Sequence, residues 1–140
     1  MSRGPGYSGT PLARKLGIKP EARVLLVNAS ESLHQALGEL PPGARVMRRA
    51  ARGQTEVIIA CCRRSAQLQR GLPIWREALT PTGGLWIAWP KRASGVSTDL
   101  GDGIVRELGL AAGLVDNKVC AIDETWSGLR FVYRLADRPR

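Results

Sequence analysis

The sequence predicts an α/β fold, a three-layer sandwich whose mainly parallel sheet ends in an antiparallel C-terminal hairpin. Short apolar runs of strand length alternate with segments whose apolar residues recur at helical spacing, a pattern typical of parallel sheets covered by helices on both faces. The last third of the chain instead has two strand-like stretches around "ETWSG" (124–128), which indicates a hairpin. A chain of 140 residues can bury one core but not two independent cores.

The first half of the chain supplies two predicted helices and three predicted strands. Thr10 followed by Pro11 is a favourable helix start, and this short helix should end near residue 16. Ser30 is expected to cap a second helix that follows the first strand. The first strand is predicted from the apolar run at residues 23–29, and a second and a third strand fit residues 44–49 and 56–62.

The second half begins with a helical pattern from Ser65, which we expect Gly71 and Pro73 to split or kink. Residues 80–84 ("TPTGG") predict a turn, and residues 85–90 the fourth strand.

A further amphipathic helix is predicted over residues 98–112, with Thr98 as its N-cap and Asp99 near its positive end. In the hairpin, Gly128 is expected to supply a positive φ to the turn.

These elements predict a single domain at residues 10–136, between an irregular lead-in (1–9) and a basic tail (137–140). No apolar stretch reaches membrane-spanning length, and Arg14 and Lys15 interrupt the region where a secretory signal needs its apolar core. We therefore expect a cytoplasmic protein that does not associate with membranes.

The three cysteines cannot all pair with one another, which fits a reducing compartment. His34 is the only histidine and the sequence has no CxxC motif, so no metal site is predicted. Cys61 and Cys62 could form a redox-active pair if the following arginines, Arg63 and Arg64, lowered a thiol pKa. Buried strand cysteines are the commoner case, and we favour that interpretation.

Three segments, "GYSGTPLARKLGIKP" (6–20), "WPKRASGVSTDL" (89–100) and "VCAIDETWSGLRFV" (119–132), resemble a family of short bacterial proteins, a domain of unknown function. The order of elements also resembles the Rossmann-like core of class I S-adenosylmethionine-dependent methyltransferases. The stretch "LARKLGIKPEARVLLVNA" (12–29) looks like their opening helix, turn and first strand, and the hairpin is similar to their antiparallel ending. The resemblance implies a methyltransferase-like domain that lacks one of the usual seven strands.

The sequence departs from those methyltransferases at two cofactor positions. Their first strand leads into a glycine-rich turn that approaches the methionine moiety, whereas this chain continues with "NASESLHQ" (28–35). An acidic residue that binds the ribose hydroxyls usually follows their second strand, and here Arg48 and Arg49 follow it. We therefore do not expect S-adenosylmethionine as a cofactor, although a methyltransferase with an atypical site is an alternative.

Open α/β sheets bind ligands beyond the carboxyl ends of their strands. Cations follow three of the four predicted parallel strands, so part of the +9 net charge is predicted to gather at this edge and bind a small anion such as a nucleotide or phosphorylated metabolite. The alternative is that these cations only solvate the ends of buried strands. The predicted ligand-binding residues after the strands are Asn28, Ser30, Arg49, Arg63, Trp89, Lys91, Arg92, Ser94 and Thr98.

Asp123 and Glu124, in the predicted hairpin turn, complete this candidate site. With Ser127 they contain the residue types of an acid, a base and a nucleophile, but the only histidine is remote in sequence, so turn chemistry is the favoured interpretation. A further hypothesis is that Asp123 or Glu124 pairs with Lys91 or Arg92 across the sheet.

Two further hypotheses concern binding partners other than a small anion. Nucleic acid could bind the basic face with steep salt dependence, although the sequence has no helix-turn-helix pattern or RNA-binding aromatic motif. The hairpin edge could also mediate dimerisation. The sequence fixes neither the oligomeric state nor a reaction.

Overall fold

A computed structural model describes residues 10–139, so the predicted lead-in (1–9) and Arg140 of the predicted tail lie outside the described residues. The described chain forms one six-stranded sheet with the order β2-β1-β3-β4-β6-β5. In chain order the elements are α1 (Leu12–Lys15), β1 (Arg23–Val27), α2 (Glu31–Leu37), β2 (Arg45–Met47), β3 (Thr55–Cys61), α3 (Ser65–Ala78), β4 (Leu79–Pro90), α4 (Asp102–Ala111), β5 (Leu114–Ala121) and β6 (Trp126–Tyr133).

The sheet has the predicted mixture of directions. Strands β1 to β4 run parallel, with β1 between β2 and β3 and with β4 beside β3. Strand β6 is antiparallel to β4 and pairs on its other side with β5, which completes the terminal hairpin. The mainly parallel α/β class with an antiparallel end is therefore confirmed.

The helices cover both faces of the sheet, as the three-layer prediction requires. Alternate residues of β3 show this: Ile58 and Ala60 pack in the same cluster as α3 and α4, whereas Val57 and Ile59 pack with α1 and α2. Because side chains of a strand alternate between faces, an unbroken apolar run can fill two cores at once. No helix in residues 10–139 is long and apolar enough to cross a membrane.

Two boundaries differ from the sequence prediction. Helix α3 is one continuous helix that contains Pro73, so the predicted split is wrong. Strand β4 begins directly after it at Leu79, and the predicted turn at 80–84 is instead an irregular part of the strand. Leu79 is aligned with Thr55, and the next aligned pair joins Gly84 to Val57, so residues 80–83 form an irregular insertion in β4 opposite the single residue Glu56 of β3.

Two predicted roles at helix and turn positions are also wrong. Helix α4 begins at Asp102 with Gly101 as its N-cap, so Thr98 does not cap it. Gly128 lies inside β6 opposite Ala88 rather than at a positive φ in the turn. A Cβ at Gly128 would stand 2.9 Å from Ile122 Cδ1 and 3.2 Å from Trp86 Cε3, which explains why a glycine fits there.

Candidate functional site

The carboxyl edge of the sheet gathers the loops after β1, β3 and β4 together with the hairpin turn. Because β6 runs antiparallel to β4, the turn that precedes β6 lies beside the segment that follows β4. Pro90 is paired with Trp126, and the backbone N–H of Lys91 donates to the carbonyl of Thr125 at 2.7 Å. The predicted cations and the predicted acids therefore share this edge.

The segment between β4 and α4 (91–101) is tied to the start of α3. The Thr98 hydroxyl donates to the Arg63 carbonyl at 2.7 Å, and Arg64 Nη2 donates to Ser97 Oγ at 2.9 Å. Asp99 accepts from the backbone N–H of Ser65 at 2.8 Å and from its hydroxyl at 3.2 Å. Asp99 therefore occupies the N-terminus of α3, where the helix dipole would otherwise favour an external anion.

A pocket of about 930 Å³ lies over the ends of β4 and β6. Four predicted site residues line it: Trp89, Lys91, Arg92 and Thr98. Buried Trp89, Leu100 and Leu129 give it an apolar floor, while the other lining residues include Val96, Ser97, Asp102, Arg106, Val119 and Ser127. We call this the β4 pocket.

A second pocket, of about 400 Å³, lies over β1 and β3, and we call it the β1 pocket. It contains two predicted residues, Asn28 and Arg63, and is also lined by Gln67 and Trp126. Val96 lines both pockets, so the 91–101 segment separates them. The structure thus divides the predicted edge into two compartments.

The remaining predicted residues have other positions or roles. Arg49 is exposed beyond the edge strand β2 and lines a different, shallow pocket. The Ser30 hydroxyl accepts from the N–H of Leu33 at 3.1 Å, so its predicted capping of α2 is confirmed. The Ser94 hydroxyl donates to the carbonyl of Lys91 at 2.6 Å and thereby closes the turn after β4.

The carboxylate of Asp123 accepts hydrogen bonds within its own turn. Its Oδ1 accepts from the N–H groups of Thr125 at 2.8 Å and Trp126 at 2.7 Å, and its Oδ2 accepts from the Ser32 hydroxyl at 3.3 Å. Glu124 is exposed. These bonds support the turn interpretation of Asp123.

None of the ion pairs found in residues 10–139 joins Lys91 or Arg92 to Asp123 or Glu124. Lys91 and Arg92 therefore have no ion-pair partner among the described residues.

The cysteine pair does not have the character of a reactive site. Cys61 and Cys62 are both buried, and burial raises the pKa of each thiol to about 12. The nearby Asp123 carboxylate raises the pKa of Cys61 further. The redox hypothesis required Arg63 and Arg64 to lower a thiol pKa, and the raised values contradict it because a thiol must ionise to act as a nucleophile.

The sequence reasoning missed Arg106 as a lining residue. It lies in α4, one turn after Asp102, and its Nε donates to Asp116 Oδ2 at 3.1 Å. The spacing from Asp102 could have placed both side chains on one helix face. No local signal pointed to Val119 or Leu129, which reach the pocket through the hairpin pairing.

Known structures share this fold at low sequence identity. The chain is similar to a SAM-dependent methyltransferase from Aquifex aeolicus, at 14% identity and a TM-score of 0.59 over 86% of each chain. It is also similar to a 1,6-didemethyltoxoflavin-N1-methyltransferase from Burkholderia thailandensis, at 14% identity and a TM-score of 0.59 over 86% of this chain and 73% of that one. A TehB-like SAM-dependent methyltransferase from Corynebacterium glutamicum matches at 12% identity and a TM-score of 0.56, over 92% and 90% of the two chains.

These likenesses confirm the methyltransferase-like core as a matter of fold. No family model matches the chain, and no curated protein matches it.

S-adenosylmethionine, the cofactor that this fold family implies, does not fit the residues at the two positions named above. The connection from β1 to α2 starts with Asn28 at φ +54°, and Ser30 already caps the helix, so side chains stand where a glycine backbone would approach the cofactor. After β2, Arg48 and Arg49 are exposed cations where a carboxylate would bind ribose hydroxyls.

Proposed function

We propose that this methyltransferase-like domain binds a small anionic ligand, such as a nucleotide or a phosphorylated metabolite, in the β4 pocket. The observation that carries the proposal is the presence of Lys91 and Arg92 on the wall of a 930 Å³ pocket at the carboxyl edge, with no ion-pair partner among the described residues. Pockets of this size and position are typical of ligand sites in open α/β sheets.

The charges of the pocket leave two cations unpaired. Asp99 and Asp102 also line it, and the carboxylate of Asp99 is directed to the N–H and hydroxyl of Ser65. Arg106 is paired with Asp116. Lys91 and Arg92 belong to none of the ion pairs found in residues 10–139, so they are the groups that can contact an anion. A lysine offers a point charge and an arginine a planar fork, and both bind phosphate or carboxylate oxygens.

The walls of the pocket suit a ligand with an apolar or planar body. Trp89 is 7% exposed and Leu100 8% exposed, so each presents only a small part of its surface to the pocket. An anionic group held near Lys91 would leave the rest of the ligand against these side chains. A nucleotide combines both features, because its base is planar and its phosphate is charged.

Thermal-shift measurements against a panel of nucleotides, sugar phosphates and S-adenosylmethionine test the proposal. We expect stabilisation by at least one phosphorylated compound and none by S-adenosylmethionine. Lys91→Ala and Arg92→Ala should each weaken that binding by about tenfold, the worth of one charge-assisted hydrogen bond. Arg70→Ala, which removes an exposed cation of α3, is the matched control and should bind normally.

Two results would overturn the proposal. The first is the absence of stabilisation by every compound in the panel. The second is unchanged affinity in both pocket variants, which would place any binding elsewhere. Stabilisation by S-adenosylmethionine that depends on Asn28 would instead favour the atypical methyltransferase.

A further inference from the structure

Strand β2 forms one edge of the sheet in the described part of the chain. Within residues 10–139 it has a neighbour on one side only, namely β1. The backbone N–H of Arg45 donates to the carbonyl of Ala22 at 2.9 Å, so Arg45 directs its backbone groups towards β1. Successive residues of a strand direct these groups to opposite sides, so the N–H and C=O of Val46 point to the open edge. A further strand could hydrogen-bond to both.

A shallow pocket of about 400 Å³ runs along this edge and is lined only by residues between 45 and 51. Val46 is 49% exposed, and Met47 is half-buried against the core. Val46 and Met47 follow one another in the strand and lie on opposite faces of the sheet, so each gives the edge apolar surface on one face. The other lining residues are Ala51 and three arginines, Arg45, Arg48 and Arg49.

The three arginines give the edge a strong positive charge. All are exposed, and none takes part in the ion pairs found in residues 10–139. No acidic residue lines this pocket in the part of the chain that the structure describes. The next cation along the chain, Arg52, is already paired with Glu77 at 3.2 Å.

We propose that the β2 edge binds an extended acidic segment of a partner protein, which adds a strand beside β2. The backbone groups of Val46 would pair with the segment, the apolar side chains on one face of the segment would lie against Val46, and its carboxylates would contact the arginines. Addition of a strand to a sheet edge is a general mode of peptide recognition, in which main-chain bonds provide affinity and side-chain contacts provide specificity. This surface is separate from the β4 pocket.

Charge complementarity selects this occupant over the alternatives from the same chain. A second copy of β2 would bring six arginines into one small area, which is repulsive. Residues 1–9 contain Arg3 and no acidic residue, so they do not complement the edge either.

The chemistry of the pocket also favours a peptide over nucleic acid. Single-stranded nucleic acid is usually held by aromatic side chains that stack on its bases. None of the described residues that line this pocket is aromatic, and the apolar ones are Val46, Met47 and Ala51. An unpaired strand edge moreover offers backbone groups that a peptide can match and a phosphate backbone cannot.

Fluorescence polarisation with a labelled peptide of alternating glutamate and valine tests the proposal. We expect saturable binding, and none by a peptide of alternating lysine and valine. A glutamate-valine peptide carrying an N-methyl group on every backbone nitrogen keeps the charge but has no N–H to pair as a strand on either edge, so it should not bind. Equal binding of this peptide would overturn strand addition.

Charge reversal on the protein locates the site. Arg48→Glu with Arg49→Glu should weaken peptide binding by about tenfold or more, because two exposed charge contacts become repulsive. Arg14→Glu with Arg70→Glu changes the net charge equally on exposed helix positions and should bind normally. Equal losses in both double variants would show a non-specific charge effect and overturn the proposal. So would a single-stranded oligonucleotide that displaces the peptide, with affinity that falls steeply with salt.

Discussion

Asp99 caps a helix to which it is not adjacent in sequence. Its carboxylate accepts both the backbone N–H and the hydroxyl of Ser65, the first residue of α3, across 34 positions of the chain. Arg64, the residue that precedes the helix, provides no side-chain cap of its own. The 91–101 segment, which forms a wall of the β4 pocket, is thus hydrogen-bonded to the N-terminus of α3.

Replacement of Asp99 should loosen this attachment. We expect Asp99→Ala to lower the free energy of unfolding by about 1 kcal/mol, the usual cost of a lost N-cap, because the N–H of Ser65 loses its acceptor. Urea unfolding measures the change. Asp102→Ala is the control, since no hydrogen bond to its side chain is present among the described residues, and it should cost less than about 0.5 kcal/mol. Equal losses in the two variants would contradict a capping role for Asp99.

The packing of α4 on β6 predicts opposite effects for two glycines of the same helix. A Cβ at Gly109 would stand 2.1 Å from Phe131 Cε1, whereas a Cβ at Gly103 would meet no atom within 4 Å. Gly109→Ala should therefore destabilise the protein by about 1–3 kcal/mol through overpacking. Gly103→Ala should stabilise it by up to about 1 kcal/mol through helix propensity. Thermal unfolding of both variants decides, and a stable Gly109→Ala would show that α4 can move away from the sheet.

The fold could be predicted where local pattern and tertiary environment agree. The unbroken apolar run of β3 indicated a strand covered on both faces, and its residues do alternate between the two clusters. The prediction failed at residues 80–84, where Thr, Pro and Gly favour a turn. There residues 80–83 continue β4 as an irregular insertion between the pairs Thr55–Leu79 and Val57–Gly84, and no local window contains that pairing.

In the candidate site, too, the sequence predicts what local order determines and misses contacts between residues that are far apart along the chain. The sequence correctly predicted Lys91 and Arg92 at the carboxyl edge, because they directly follow Pro90, the last residue of β4. The partner of Asp99 could not be found from the sequence, because Ser65 is remote along the chain. Local spacing placed Asp99 on the helix that follows it, whereas the structure places its hydrogen bonds on α3.

The three thiols should differ in reactivity. Cys61 and Cys62 are buried with pKa values raised to about 12, whereas Cys120 is only partly buried. The pKa of Cys120 is also raised by desolvation, but Lys15, Lys118 and Lys91 oppose that effect. At pH 8 we expect iodoacetamide to modify Cys120 first and to modify the pair only after unfolding. Peptide mass mapping of the native and urea-unfolded protein measures this order, and early modification of Cys61 would restore the redox hypothesis.

The pairing of Arg23 with Glu56 predicts a dependence of stability on pH. Glu56 Oε1 accepts the backbone N–H of Arg23 at 2.6 Å and its Nε at 3.2 Å, while Oε2 accepts Nη2 at 2.7 Å. The hydrogen bonds from the Arg23 guanidinium are the main reason that the pKa of Glu56 is lowered in the folded state, and partial burial opposes them. A lowered folded pKa means that the unfolded chain takes up the proton more readily, so the pair stabilises the fold above the unfolded glutamate pKa of about 4.3.

Glu56→Gln should accordingly be less stable than the parent protein at pH 7, and the difference should shrink as the pH falls through the lowered pKa of Glu56. Both side chains are about one third exposed, 32% for Arg23 and 34% for Glu56, so salt should also reduce the difference at pH 7. Urea midpoints between pH 3 and pH 7.5, at low and high salt, measure both trends. Glu107→Gln is the control for the loss of one negative charge. Glu107 is exposed on α4 and belongs to none of the ion pairs found in the described chain. A difference between Glu56→Gln and the parent that is as large at pH 3 as at pH 7 would contradict the ionic contribution and leave only a packing effect.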